Sequence, residues 1–265
     1  MGPSERVRRE PPRFRTVSVR RTELLTPRLA RVVLGGSDLA GFDLPEPAAS
    51  VRLLLPSATG GDLVMPTWNG NQFLLPDGGR PVIRTLTPRR FDAASLELDV
   101  EIVVHEAGAA SSWASHAQPG DRAAMSGPGR GYRIDPDAAC FVLMGDETAL
   151  PAIVQLLEAM PPTMVVDVHI EVGQADGVLP VPVNGSTRIA WHIRDKGAPP
   201  GQSLVEAIRA STLAEGARVW AAGEAAAMQQ IRRHLFDERG LARSIATVRG
   251  YWKHGRTGEP DSGGE

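Results

Sequence analysis

The chain has 265 residues, with 29 Lys and Arg against 31 Asp and Glu, one cysteine and 42% hydrophobic residues. That composition excludes wholesale disorder and suits one large domain or two smaller ones, while a lone cysteine excludes an intramolecular disulfide, a zinc ribbon and a four-cysteine iron–sulfur site. No apolar run approaches the roughly 18 residues of a spanning helix, and 5% aromatics argues against a stacking-based nucleic-acid reader.

The near-zero charge hides an asymmetry. Residues 1–31 carry nine Arg and three acids, so the remainder is net acidic, and the only lysines are Lys196 and Lys253. Arg6, Arg8, Arg9, Arg13 and Arg15 read as a solvated tail in preference to an anion-binding segment. The N-terminus lacks the apolar region of a secretory signal, so a cytoplasmic protein is expected. Residues 1–12 and 257–265 are read as tails without structure.

In chain order, the first half reads as β. Runs rich in Val, Thr and Leu at 13–21 and 28–35 are split by Thr26-Pro27, and a third run from Ser50 to Leu55 stops at Pro56. Leu96, Leu98, Val100 and Ile102 alternate with Glu97, Asp99 and Glu101, which predicts a strand with one face on a core and one in water. Short strands separated by Gly/Pro turns predict an antiparallel barrel or sandwich.

The second half changes rhythm. Cys140 to Met144 is a continuous apolar run, as in a buried parallel strand, and Cys140 is expected in its core. A helix follows with Leu150, Ile153, Val154 and Leu157 on one face and Gln155 and Glu158 opposite. Thr148 is its expected cap, with Pro151 in its first turn. Strands at 163–172, 187–193, 217–222 and 244–252 alternate with helices at 202–212 and 225–238, the last closed by Gly240. Such alternation predicts a parallel sheet with helices on its faces. The boundary falls around 131–139, giving domains at 13–134 and 135–256. A barrel followed by a nucleotide-type α/β domain suggests flavin on the first and nicotinamide on the second, by analogy of fold.

Several segments carry candidate chemistry. Arg84-Thr85-Leu86-Thr87-Pro88-Arg89 ends a strand; a guanidinium there can pair a pyrophosphate. His105 to Ala114 follows the alternating strand, and its small residues at 107–111 let a phosphate approach backbone N–H groups at a helix start. Met144-Gly145-Asp146-Glu147-Thr148-Ala149-Leu150-Pro151 sits where a Rossmann glycine loop would sit but is not G-x-G-x-x-G. Two acids there suit a carboxamide and ribose hydroxyls better than a pyrophosphate. Ala222-Gly223-Glu224-Ala225 repeats the design at the sheet edge where ligands bind. Taken singly, each segment also fits a plain strand end or helix cap.

Together these motifs resemble the siderophore-interacting proteins, FAD- and NAD(P)H-dependent ferric-siderophore reductases related to ferredoxin reductases. The family pattern R-x-Y-[TS]-x-R appears as Arg84–Arg89, and H-G-x-x-G-P-A-x-x-W-A as His105–Ala114. Pro119-Gly120-Asp121 with Gly127-Pro128, the intact G-D-E-T-A-L-P-A-I block at Gly145–Ile153, Ala222–Glu224 and Gly250-Tyr251-Trp252 follow in order. The resemblance implies a β-barrel FAD domain and an α/β NAD(P)H domain. It implies that Arg84, Leu86, Thr87, Arg89, His105, Gly108, Ala109, Ala110 and Ser111 border FAD, with Thr87 near flavin N5 as the catalytic residue. Asp146, Glu147, Thr148, Gly223 and Glu224 would border NADH or NADPH. Arg52, Arg130 and Lys253 would attract the ferric siderophore, with no metal held by the protein itself. A cytoplasmic monomer without nucleic-acid or membrane partners is expected. Two departures stand out: Leu86 replaces the family's flavin-stacking Tyr, and Glu106 and Ala109 replace Gly and Pro of the phosphate turn. They leave two rivals open: a member that has lost flavin and binds a chelate or partner, and a flavin reductase with another acceptor.

Overall fold

The computed structural model describes residues 12–57, 61–105, 108–183 and 185–255. Apart from Pro12, the two expected tails lie outside the described residues, as does Glu106. In the N-terminal half, Thr26-Pro27-Arg28 turns the chain between β1 (Arg15–Thr26) and β2 (Leu29–Gly35). There follow β3 (Val51–Leu55), a small hairpin of β4 (Thr67–Trp68) and β5 (Phe73–Leu74), β6 (Val82–Leu86), β7 (Pro88–Asp92), β8 (Glu97–Val103), helix α1 (Ala109–His116) and β9 (Arg122–Ser126). Seven strands pair antiparallel in the order β6-β3-β9-β1-β2-β8-β7. The two edge strands, β6 and β7, are consecutive in the chain with Thr87 alone between them. The sheet must therefore curl until its edges meet, which makes it barrel-like and puts Thr87 on the seam.

The alternating strand is β8. Leu98, Val100 and Ile102 are buried, whereas Leu96 lies in the preceding turn at φ +53°. Glu101, expected in water, is buried too. Arg31 sits opposite it in register and donates to its carboxylate at 2.7 Å, so the alternation holds in direction but not in polarity.

The C-terminal half comprises β10 (Cys140–Asp146), α2 (Leu150–Ala159), β11 (Val166–Val172), β12 (Thr187–Ile193), α3 (Gln202–Ala210), β13 (Ala217–Glu224), α4 (Ala225–Arg233) and β14 (Ala246–Trp252). The five strands are all parallel in the order β12-β11-β10-β13-β14. Leu150, Ile153 and Leu157 of α2 pack with Phe141, Leu143 and Ile170 on one face. Leu204 and Ile208 of α3 and Met228 and Ile231 of α4 pack with Met144 and Val219 on the other. No helix among the described residues is long and apolar enough to cross a membrane.

Four expectations are corrected. Cys140 is half-exposed at the mouth of β10, not in its core. The strand expected from 163 starts at Val166, because Pro161 to Met164 form a turn closed by Met164 N–H on the Pro161 carbonyl. The last helix stops as α at Arg233 and runs on as one π-type turn, His234–Glu238. Capping before α2 falls to Asp146, whose side chain accepts the Thr148 amide of a short 3₁₀ turn; Thr148 is its donor. The polar side of α2 also has a use: Gln155 and Glu158 face the barrel.

Candidate cofactor and substrate site

The segment Arg84–Arg89 spans both edge strands. Strand period puts Arg84 and Leu86 on one face of β6 and Thr85 on the other. Arg84 donates to the Ile83 carbonyl at 2.9 Å and makes no ion pair among the described residues. A guanidinium steadied in this way suits an incoming anion. Leu86, half-buried, packs against the barrel core. Thr87 is 7% exposed, and its hydroxyl lies 3.5 Å from that of Tyr251, on β14. Arg89 differs from Arg84: its guanidinium is spent on Glu158 of α2, with two bonds at 2.6 and 2.9 Å.

After β8, one buried hydroxyl closes the next turn. Ser111 Oγ accepts the His105 amide at 2.7 Å and donates to the His105 carbonyl at 2.6 Å. Gly108 has φ +115°, which favours glycine, and a Cβ there would crowd the His105 ring at 3.1 Å. Gly108 caps α1 with no side chain, and Ala109, Ala110 and Ser111 form the first turn. Among the described residues their amides have no side-chain cap, and their own side chains are small, the condition for receiving a phosphate. Burial, with Arg28 nearby, holds the His105 ring below its usual range. Arg84 and the start of α1, which among the described residues have no acid partner and no side-chain cap, together fit a diphosphate-bearing cofactor.

The sheet edge is built differently. Asp146 Oδ1 accepts the Thr148 amide at 2.9 Å and its hydroxyl at 2.5 Å. Its Oδ2 accepts the Glu224 amide at 3.0 Å and the Trp252 indole N–H at 2.7 Å. Burial pushes this carboxyl up, and the bonds from Thr148 and Trp252 pull it back down. Glu224 caps α4, accepting the Ala226 and Ala227 amides at 2.7 and 2.9 Å, and takes the His254 amide at 3.2 Å. At Gly223, φ is +155° and a Cβ would stand 2.6 Å from Asp146 Oδ2. The Asp146 and Glu224 carboxylates, expected beside the nicotinamide, are thus spent on scaffolding. Glu147 lies 4.0 Å from Arg28 across the interface; burial raises its pKa, and Arg28 opposes the rise.

The three basic substrate candidates are exposed. Arg52 on β3 sits between Thr85 and Ser126 in register. The loop bearing Arg130 is tied to the same strand start, Gly129 N–H donating to the Ser50 carbonyl at 2.7 Å. Lys253 follows β14, whose Arg249 reaches the Gly131 carbonyl at 3.4 Å. Sequence reasoning passed over Tyr251, Trp252, Arg28 and Gln155 as site residues. The Gly250-Tyr251-Trp252 motif was a signal for the first two; nothing local marks the others.

A family model described as the siderophore-interacting FAD-binding domain matches residues 18–132, and one described as siderophore-interacting protein matches 138–255. The chain belongs to the siderophore-interacting protein family. A relative described as an uncharacterized protein of Mycobacterium tuberculosis is 36% identical, covering 90% of this chain and 89% of its own. The ferric vibriobactin reductase of Vibrio cholerae is 30% identical, with the same coverages of 90% and 89%. Among solved structures, a siderophore utilization protein from T. fusca superposes with a TM-score of 0.83 at 38% identity, covering 94% of this chain and 95% of that one. The family fold extends to ferredoxin reductases: the one in carbazole 1,9a-dioxygenase gives a TM-score of 0.67 at 13% identity, over 91% of this chain and 70% of that one.

Proposed function

We propose that the protein reduces ferric siderophores, with electrons drawn from NADH or NADPH and passed through FAD. The observation that carries this reading is the approach of Tyr251 to Thr87, 3.5 Å between hydroxyls, which brings the ligand edge of the parallel sheet onto the seam of the barrel. FAD, when bound, supplies the conversion between hydride and single-electron chemistry. Arg84 pairs its pyrophosphate, and the amides of Ala109 to Ser111 take phosphate oxygens. Thr87 stands at its reactive edge. Asp146 to Thr148 and Gly223-Glu224 form the rim on which the nicotinamide rests. Arg52, Arg130 and Lys253 draw in an anionic ferric chelate. Fe(II) suits the hard oxygen ligands of such a chelate poorly, so reduction releases the iron. Named ferric reductases among the relatives support the same reading, and a cytoplasmic site of action follows from it.

The test is direct. Protein incubated with FAD and passed through a desalting column should emerge yellow, bleach anaerobically with NADH or NADPH, and recover colour on adding a ferric hydroxamate or catecholate, with Fe(II) trapped by a chromogenic chelator. Protein that stays colourless overturns the reading. Leu86, leaning on the barrel core where the family has an aromatic ring, favours a second reading: a protein that binds a ferric chelate without taking up FAD.

A further inference from the structure

The face of α2 turned toward the barrel holds one side-chain amide with every polar group engaged. Gln155 Oε1 accepts the Ala48 amide at 2.8 Å, and Nε2 donates to the Pro88 carbonyl at 2.8 Å and the Arg89 carbonyl at 3.3 Å. A primary amide has two N–H donors and a carbonyl acceptor, and here all are used. Its partners belong to two barrel segments far apart in sequence. One turn along the same helix face, Glu158 grips the Arg89 guanidinium with two bonds.

Both segments are irregular at the point of contact. Ala48 lies at φ +54°, a left-handed conformation unfavourable for a residue with a Cβ. The pairing of β7 with β8 shifts register between Pro88 and Arg90, so Arg89 is the extra residue of a bulge. A bulged residue is lost to the ladder, and bulges re-aim the side chains beside them. Here Thr87, on the seam, stands two residues before the bulge, joined to it through Pro88, whose carbonyl Gln155 holds. Gln155 ties the backbone of both irregularities to α2, and Glu158 adds a grip on the Arg89 side chain.

We infer that Gln155 is a positioning residue through which the α/β domain fixes the barrel's flavin-edge segment, Leu86–Arg89, and with it the aim of Thr87. The role rests on the reading above for what Thr87 faces, but the mechanical part stands without it. Gln155 touches no reacting atom; it acts through the bulge.

The experiment compares the full-length chain with Gln155→Leu, which removes all three bonds at similar volume, and Gln155→Glu, which keeps an acceptor for Ala48 but cannot donate to the two carbonyls. Amide hydrogen exchange is followed without cofactor. Visible circular dichroism and the anaerobic reduction rate are then recorded at saturating FAD and nicotinamide. Gln155→Leu should speed exchange at least tenfold in both 46–50 and 87–92, slow flavin reduction at least threefold and alter the dichroism. Gln155→Glu should speed exchange in 87–92 alone, with the same flavin changes. Unchanged exchange in 87–92 overturns the proposal. So does faster exchange with wild-type dichroism and rate, because the segment then moves without consequence for the flavin. If wild-type protein takes up no FAD, the functional reading falls, and exchange alone decides whether Gln155 fixes the segment. Should Gln155→Leu fail to fold, Gln155→Glu carries the same criteria.

Discussion

The barrel and the sheet meet the proposed ligands in opposite ways. On the barrel, among the described residues, Arg84 has no acid partner and the first amides of α1 have no side-chain cap. On the sheet, Asp146 has four donors and Glu224 three. Charge that must answer a ligand is left open; charge that shapes a rim is consumed internally. The same kind of residue, a carboxylate or a guanidinium near a helix or strand end, therefore has a different meaning in each half. Its partners, not its position, tell which.

Asp146→Ala tests the consumed side hardest. It leaves the Trp252 indole, the Glu224 amide and the Thr148 amide without their acceptor in a buried place. At about 1–3 kcal/mol for each unsatisfied group, unfolding in urea should show a loss on the order of 4 kcal/mol. A loss under about 1 kcal/mol would erase the contrast between the halves. Arg84→Ala tests the open side. Stability should stay within about 0.5 kcal/mol, while FAD affinity, followed by flavin fluorescence quenching, should fall about 10- to 100-fold through the lost charge-assisted bonds. A large stability change with intact affinity would move Arg84 to the structural class.

Smaller effects sharpen the picture. Leu86→Tyr restores a ring beside the expected flavin and should tighten FAD about two- to tenfold; unaltered affinity would clear Leu86 of any role. The smallest effect is in pH dependence. His169 and His192 stack, with their ring nitrogens 3.1 Å apart. Burial lowers both, and His192 lowers His169 further, while Asp167 acts upward on His169 and Glu171 upward on His192. The unfolded chain then binds more protons than the folded one below the ordinary histidine pKa of about 6.5, so stability falls as pH drops through that value. Thermal melts at stepped pH should show this slope in the wild type and a shallower one in His169→Asn.

The sequence made the two-part fold legible because each half kept its own period. Strand alternation at β8 and the apolar run of β10 need no tertiary information to be read. What escaped detection depended on contact between the halves. Gln155 and Glu158 looked like the wet side of α2 because helix periodicity marks which face is polar but not what covers it. Glu101 looked exposed because its partner, Arg31, lies on another strand. Arg89 matched a cofactor motif, yet Glu158 claims it. The acids at 146 and 224 were visible as acids near helix starts; that Asp146 answers Trp252 and the Glu224 amide, and Glu224 the His254 amide, required the strands to be placed side by side.

Leu29 and Ala48 belong to the barrel by chain position, yet both are buried in the same core as Phe141, Ile153 and Leu157. A barrel excised at residue 134 would carry that apolar surface into water, along with the Ala48 and Arg89 irregularities that α2 holds. The halves are therefore poor candidates for cut-and-paste engineering. A chimera that takes its barrel from one relative and its sheet from another should fold well only when the surface of α2 travels with the barrel it was fitted to. For such shuffling the natural module is the seam.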